Sequence, residues 1–148
     1  MPIKTFRGLI EDDTQETIVL HTNDGKTGYR IVKFDLIPNE PGGLDGEHVV
    51  QIWKVSQTTN SNKIDLSDNT LLGAGYCSND TSGDAYPTRQ TILFDQEIFN
   101  QDIFVTHKIR NGSGSMNYYI ELEQIKLDLN ENTVATLKDI RNIEQPNV

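Results

Sequence analysis

Short segments rich in β-branched and aromatic residues, each closed by a turn signal, recur along the chain of 148 residues. Alternating apolar residues in such segments are typical of strands with one buried face. No long helical segment separates them, which argues against βαβ folds. The pattern predicts an all-β fold, an antiparallel β-sandwich resembling a jelly roll, with seven or eight strands. The predicted strands are residues 16–22, 29–37, 49–55, 71–77, 90–94, 103–108 and 117–129.

The length is typical of one domain, so residues 1–148 are predicted to form a single β-sandwich. Residues 1–14 are predicted to be an extended N-terminal segment. Near the other end, apolar residues recur every three to four positions from Val134 to Arg141, which indicates at most one short C-terminal helix. A strand from Thr133 to Ile140 is the competing interpretation.

Two strands have irregular apolar patterns. In the second, Val32 is predicted to share a face with Phe34 and Leu36, although Ile31 and Ile37 on the other face interrupt the alternation. In the last, apolar residues change from even to odd positions. A change of phase by one residue requires a bulge or bend. We predict a bulge at Glu123–Gln124.

Turn residues separate the strands. Asn23–Lys26 is a strong turn signal because Asn and Gly tolerate positive φ. Asn111–Ser115 is predicted to be a hairpin tip, and Pro38–Gly46 a loop. Gly73 and Gly75 within one strand indicate a bend or a close approach of the backbone.

Charge and composition narrow the classes of partner. The net charge of −9 repels nucleic-acid phosphates and anionic membranes, so neither is predicted as a partner. No apolar run approaches the roughly 20 residues of a membrane helix, and the first residues lack the apolar region of a secretory signal. The one cysteine, Cys77, has no internal disulfide partner, which fits folding in a reducing cytoplasm. It is predicted to pack as a small apolar residue.

Catalytic patterns are missing from the sequence. No Gly-x-Ser-x-Gly elbow precedes a helix, and the three histidines, His21, His48 and His107, are predicted to be half-exposed and unrelated. Asp and Asn residues at 65–69 and 79–84 lack calcium-loop spacing. Acid pairs such as Asp95 with Glu97, or Glu121 with Glu123, are common on the wet face of a strand. We therefore predict a non-enzymatic protein without a cofactor or metal.

Exposed aromatic side chains would suggest a sugar-binding module, the alternative function. Such a module needs a solvent-facing aromatic pair near Trp53, Tyr76 or Tyr86. Tyr118 and Tyr119 are adjacent in one predicted strand, so they face opposite sides of the sheet. An exposed tyrosine at this position also suits a subunit interface.

Five segments together resemble an uncharacterised family of virion structural proteins of marine tailed bacteriophages. The resemblance extends over nearly the whole chain and implies a structural role without catalysis or assigned site residues. The segments are Met1–Gly8 (MPIKTFRG), Leu20–Phe34 (LHTNDGKTGYRIVKF), Phe94–Lys108 (FDQEIFNQDIFVTHK), Asn117–Glu123 (NYYIELE) and Val134–Arg141 (VATLKDIR).

The resemblance and the charge favour a capsid decoration or cement protein, made in the host cytoplasm and located on the virion. The expected partners are other copies of the chain, with a trimer favoured, and virion proteins such as the major capsid protein. A tail, neck or fibre component is the nearest alternative. The candidate interface residues, chosen from the N-terminal segment and the tyrosine pair, are Ile3, Lys4, Phe6, Arg7 and Tyr119.

Overall fold

The computed structural model describes residues 2–81 and 88–128, which form eight β-strands and no helix. Each predicted strand segment overlaps an observed strand, and the extended N-terminal segment supplies the eighth. The predicted C-terminal helix lies outside the described residues. The strands are β1 (Ile3–Ile10), β2 (Thr14–Ile18), β3 (Thr27–Pro38), β4 (Gly46–Trp53), β5 (Leu71–Asn79), β6 (Thr88–Phe94), β7 (Ile103–Gly112) and β8 (Met116–Lys126).

The strands form two antiparallel sheets. One has three strands in the order β1-β8-β3, and the other has five in the order β2-β7-β4-β5-β6. The first strand pairs with the last, the second with the seventh and the fourth with the fifth. This nested pairing is typical of a jelly roll. β6 departs from it because it pairs with β5 at the sheet edge. The predicted jelly-roll-like β-sandwich is therefore confirmed.

Alternate side chains of both sheets meet in one hydrophobic core. Cys77 lies there in β5, as predicted, and burial raises the pKa of its thiol to about 11. A β-carbon added at Gly75 would lie 2.5 Å from Leu36 Cδ1, which confirms the predicted close approach. The core side chains without exposed surface are Ile10, Ile31, Val50, Ile52, Cys77, Ile103, Val105, Met116, Ile120 and Leu122.

The change of phase predicted for β8 occurs in its neighbour. β8 pairs with β1 in unbroken register, and the register between β3 and β8 shifts between Ile31 and Lys33. Val32 is thus the extra residue of a bulge in β3. The bulge predicted at Glu123–Gln124 is wrong.

The bulge explains the irregular pattern of β3. Val32 and Lys33 are both exposed, so that Ile31 before them and Phe34 after them are both buried. Val32 does not share a face with Phe34, contrary to the prediction. On β8, Ile125 stays on the side of Glu123 and is half-buried there, so its apolar character does not mark a new core position.

Two predicted turns differ in outcome. Asn23–Lys26 is a turn, in which the N–H of Gly25 donates to the Thr22 carbonyl at 3.3 Å and Gly25 has a φ of +66°. Asn111–Ser115 is not a hairpin tip, because β7 and β8 belong to different sheets. It carries the chain from the five-stranded sheet to the three-stranded one.

The outer side of the five-stranded sheet is covered by the chain itself. Gln51 of β4 points outwards yet is fully buried, and its amide donates to the carbonyls of Ser61 and Lys63 at 3.3 and 3.1 Å. Trp53, on the same side, is buried and donates to Thr106 Oγ1 at 2.9 Å. Residues 54–70, between β4 and β5, therefore close this side of the sandwich.

Tyr118 links the two sheets, because its hydroxyl donates to Glu16 of β2 at 2.8 Å. We expect Tyr118→Phe to lower the free energy of unfolding by about 1–2 kcal/mol through loss of this bond to a carboxylate. Tyr119→Phe is the matched control. Its hydroxyl donates to Glu121 two residues along the same strand, so we expect a smaller loss. Urea unfolding measures both, and equal losses would contradict a role for Tyr118 in joining the sheets.

Candidate interaction surface

The outer face of the three-stranded sheet carries the predicted interface residues that lie together. In the register of β1 with β8, Arg7 pairs with Tyr119 and Leu9 with Asn117. Residues paired in this way project on the same side of a sheet. Tyr118 points into the core, so its neighbour Tyr119 points outwards, as predicted for one of the two tyrosines. We call this side of the β1-β8-β3 sheet the outer face.

The rows of the outer face continue onto β3. Tyr119 pairs with Asp35 and Asn117 with Ile37. One row is therefore Arg7, Tyr119 and Asp35, and the next is Leu9, Asn117 and Ile37. Each row crosses all three strands.

Apolar side chains on the outer face are exposed to solvent. Ile3, Leu9 and Ile37 are 48%, 44% and 59% exposed. Leu9 and Ile37 lie in the same row on either side of Asn117 and form a small apolar patch, whereas Ile3 lies about 20 Å from Leu9 along β1. No described segment covers this face in the way that residues 54–70 cover the opposite side of the sandwich.

A groove of about 440 Å³ lies on the outer face beside Tyr119. The Tyr119 hydroxyl donates to Glu121 at 2.7 Å, and the ammonium of Lys33 lies 5.5 Å from the ring centroid. The ring is thus held towards the Glu121 end of β8. The groove lining includes Arg7, Leu9, Asp35, Ile37 and Asn117.

Two opposite charges flank Tyr119 across the sheet. Arg7 lies on β1 and Asp35 on β3, two strand spacings or about 9.5 Å apart. Within residues 2–81 and 88–128, neither side chain forms an ion pair. Asp35 accepts only a long hydrogen bond of 3.4 Å from the Gln90 amide and one from its neighbour's backbone. Both charges are therefore available to a partner.

The five predicted interface residues divide between the two sides of the β1-β8-β3 sheet. Ile3 and Arg7 lie on the outer face with Tyr119, whereas Lys4 and Phe6 project to the other side. Phe6 packs partly buried against the core, and Lys4 is exposed at the sheet edge. Within the N-terminal segment, Ile3–Ile10 form an edge strand that pairs with β8 of the same chain.

Sequence reasoning missed Leu9, Asp35 and Ile37 as members of this surface. The signal was the interrupted alternation at Ile37, an apolar residue on the polar side of its strand. Its meaning depends on the pairing of three strands that are distant in sequence.

The three histidines are not all half-exposed as predicted. His48 and His107 are buried side by side, with His48 Nδ1 3.0 Å from His107 Nε2. Their positions share the phase of Val50 in β4 and Val105 in β7, which is the sequence signal for a buried histidine. His21 is exposed, and its Nδ1 lies 2.7 Å from Asp102.

The hydrogen bonds of the buried pair fix its tautomers. The carbonyl of Ile10 only accepts, so His107 Nδ1 donates to it at 3.0 Å. A neutral His107 then accepts at Nε2, and His48 Nδ1 is the donor. Burial lowers the pKa of both imidazoles, and for His48, with the repulsion of a charged His107 added, to about 4. The pair is thus neutral near pH 7 and packs as part of the core.

Acidic side chains that were considered as catalytic or calcium-binding candidates form ion pairs or hydrogen bonds with other residues of the chain. Glu97 forms an ion pair with Lys54 at 2.9 Å, and Glu123 accepts two bonds from Arg30 at 3.1 and 3.2 Å. Asp65 accepts bonds from the backbone and hydroxyl of Ser67, which holds a turn. In the described part of the chain, no three His, Cys, Asp or Glu side chains lie close enough to hold a metal ion.

Three of the candidate aromatic side chains are buried. Trp53, Tyr29 and Tyr118 are each at most 6% exposed, and Tyr76 is half-buried with its hydroxyl 3.2 Å from Glu47. Tyr86 lies outside the described residues. Buried rings cannot serve as the platform that a sugar-binding module needs. No helix among the described residues is long and apolar enough to cross a membrane.

Comparisons with known proteins give a structural likeness at low sequence identity. No protein-family model matches the chain, and no curated protein matches it. The chain is similar to the crystal structure of the Yersinia pseudotuberculosis-derived mitogen, at 14% sequence identity and a TM-score of 0.32. The match covers 89% of this chain and 92% of that one. The fold described above follows from the strand order and register of this chain itself.

Proposed function

We propose that this chain is a non-enzymatic virion structural protein, a capsid decoration or cement protein that works as a symmetric homo-oligomer. The observation that supports this proposal best is the outer face, which exposes Ile3, Leu9 and Ile37 and on which Arg7 and Asp35 form no ion pair within residues 2–81 and 88–128. Among the described residues, one side of the jelly roll is covered by residues 54–70 and the outer face by no segment, which suits the outer face to packing on neighbours.

Charge and packing define how such a protein would work. Other copies of the chain, with a trimer favoured by the sequence analysis, and the major capsid protein are the proposed partners. The net charge of −9 keeps the exposed surface solvated and disfavours contact with the packaged nucleic acid. The chain would be made in the host cytoplasm and join the particle through surface contacts without a chemical step.

The composition of purified virions tests this function. We expect the chain in gradient-purified particles of the tailed phage that encodes it, at a fixed ratio to the major capsid protein measured by quantitative mass spectrometry. Immunogold labelling should decorate the head. Presence in infected-cell lysate with absence from purified particles would overturn the proposal.

The same experiments separate the alternative positions. Gold particles confined to the neck, tail or fibres would identify a tail, neck or fibre component and correct the position on the particle. A carbohydrate-binding module predicts specific signals on a glycan array. Apart from Tyr76 and Tyr119, which are half-buried, the described tyrosines and Trp53 are buried, so we expect such an array to be silent.

A further inference from the structure

We propose that the outer face binds the outer face of a second copy. The two copies are related by a two-fold axis that lies between their facing three-stranded sheets and runs parallel to β8. The inference rests on the homo-oligomer of the proposed function, and it names the surface and a two-fold symmetry in place of the trimer that the sequence analysis favoured. A two-fold contact uses the same patch on both copies, so that patch must be complementary to itself. The two rows of the outer face meet this condition.

Charge complementarity selects the direction of the axis. An axis parallel to β8 exchanges the positions of β1 and β3 between the copies. Arg7 of one copy then faces Asp35 of the other, and the contact contains this pair twice. An axis across the strands in the row of Tyr119 would instead place Arg7 against Arg7, and like charges opposite each other are destabilising.

The neighbouring row fits the same axis. Leu9 of one copy faces Ile37 of the other, so two exposed aliphatic side chains cover each other. Asn117 and Tyr119 lie on β8, at the axis, and each meets its own counterpart. Glu121 and Glu123, further along β8, also meet their counterparts, and within each copy their carboxylates already accept bonds from Tyr119 and Arg30. Aligned packing of twisted sheets tolerates angles of about 30° between strand directions, which leaves this arrangement accessible.

The size of the face predicts the strength of the contact. Three strands about 4.8 Å apart and eight residues of about 3.4 Å each give a footprint of about 400 Å². Stable dimers bury about 800 Å² on each partner, so this face alone supports weak association. We expect a dissociation constant between about 10 μM and 1 mM, at which neighbours held on a particle would be associated.

Analytical ultracentrifugation of the full chain tests the inference at neutral pH and low salt. We expect a monomer–dimer equilibrium over roughly 10 μM to 1 mM. A monomer throughout this range, or a trimer as the only assembly, would overturn the two-fold contact. Because these measurements need no virion, they are independent of the particle experiments: a dimer from a chain absent from virions would leave this inference standing and remove the proposed function.

Charge exchange tests the pairing itself. We expect Arg7→Asp and Asp35→Arg each to weaken dimerisation at least about tenfold, because each change places two like-charged pairs across the axis. The double variant exchanges the charges and should restore the constant to within about threefold. The control is Arg89→Asp, which makes the same charge change as Arg7→Asp at an exposed position of β6. It should leave the dissociation constant unaltered. A dimer insensitive to the single changes, or unrestored in the double variant, would refute the pairing.

Cross-linking gives a readout that does not depend on charge. Asn117→Cys places a thiol at the axis, so we expect rapid formation of a disulfide-linked dimer with a mild oxidant. Leu66→Cys is the control, since Leu66 is exposed at 66% in the segment that covers the opposite side of the sandwich. Cys77 is buried and should not react. Equal cross-linking of both variants, or none at residue 117, would overturn the axis.

Discussion

Lowering the pH from about 6.5 to about 4 is expected to reduce the free energy of unfolding by about 3 kcal/mol through His48 alone. The folded-state pKa of His48 is lowered to about 4 by burial and by the neighbouring His107. Between these pH values the unfolded chain binds a proton that the folded chain excludes, so protonation favours unfolding. One such proton changes the free energy by about 1.4 kcal/mol per pH unit.

The pH range in which stability is lost separates the effect of the histidines from that of the carboxylates. The contribution of a histidine with a lowered pKa is fully present above pH 6.5 and is lost as the pH falls. His107 is shifted in the same direction and adds to the slope. Asp24, Asp45 and Asp102 have pKa values lowered from 3.8, so their contributions are lost only at lower pH.

Urea unfolding at intervals from pH 7.5 to about 4 measures the slope, in the window set by the histidine pKa values. His48→Gln removes one titrating group, so its stability should fall less steeply with pH even if it is less stable at pH 7. His21→Gln removes an exposed imidazole and should leave the steep fall in place. A wild-type stability that does not change between pH 6.5 and 4.5 would show that the buried pair is not neutral.

The strands could be predicted from sequence because their signals are local. A turn residue such as Gly25 is recognised because glycine readily adopts the positive φ of the turn, which depends on that residue alone. Alternation of apolar and polar residues is likewise visible within a single strand. The bulge was predicted in the wrong strand because the apolar pattern is irregular in both β3 and β8. From sequence alone, an extra residue in either strand would explain such a pattern. Ile125 looked like a core residue, yet it is half-buried on the outer side. Sequence gives the hydrophobicity of a position and not the depth of its burial.

The histidine pair and the outer face could not be predicted because they depend on pairing between distant strands. His48 and His107 are neighbours only through the register of β4 with β7. Arg7 and Asp35 become members of one row only because β8 lies between β1 and β3. Charge and exposed aliphatic side chains were visible in the sequence, but their arrangement on one surface required the sheet order.

The crossing from β7 to β8 provides the other large expected effect. Gly112, at the end of β7, has a φ of +91°, and a β-carbon there would lie 2.2 Å from the Asp45 carbonyl oxygen and 2.7 Å from Gly46 Cα. Both obstacles are backbone atoms, which cannot move aside as a side chain can. Gly112→Ala therefore combines an unfavourable φ with a steric conflict between the crossing and the start of β4.

We expect Gly112→Ala to lower the free energy of unfolding by about 3 kcal/mol or more, the sum of backbone strain and overpacking of roughly 1–3 kcal/mol each. Gly114→Ala is the matched control. Its φ of +117° is also unfavourable, but the nearest atom to its added β-carbon is His48 Cε1 at 3.6 Å, an ordinary contact. It should lose only the strain contribution. Chemical denaturation of both variants decides the point: equal losses would mean that φ alone, and not the contact with Asp45, determines why glycine occupies position 112.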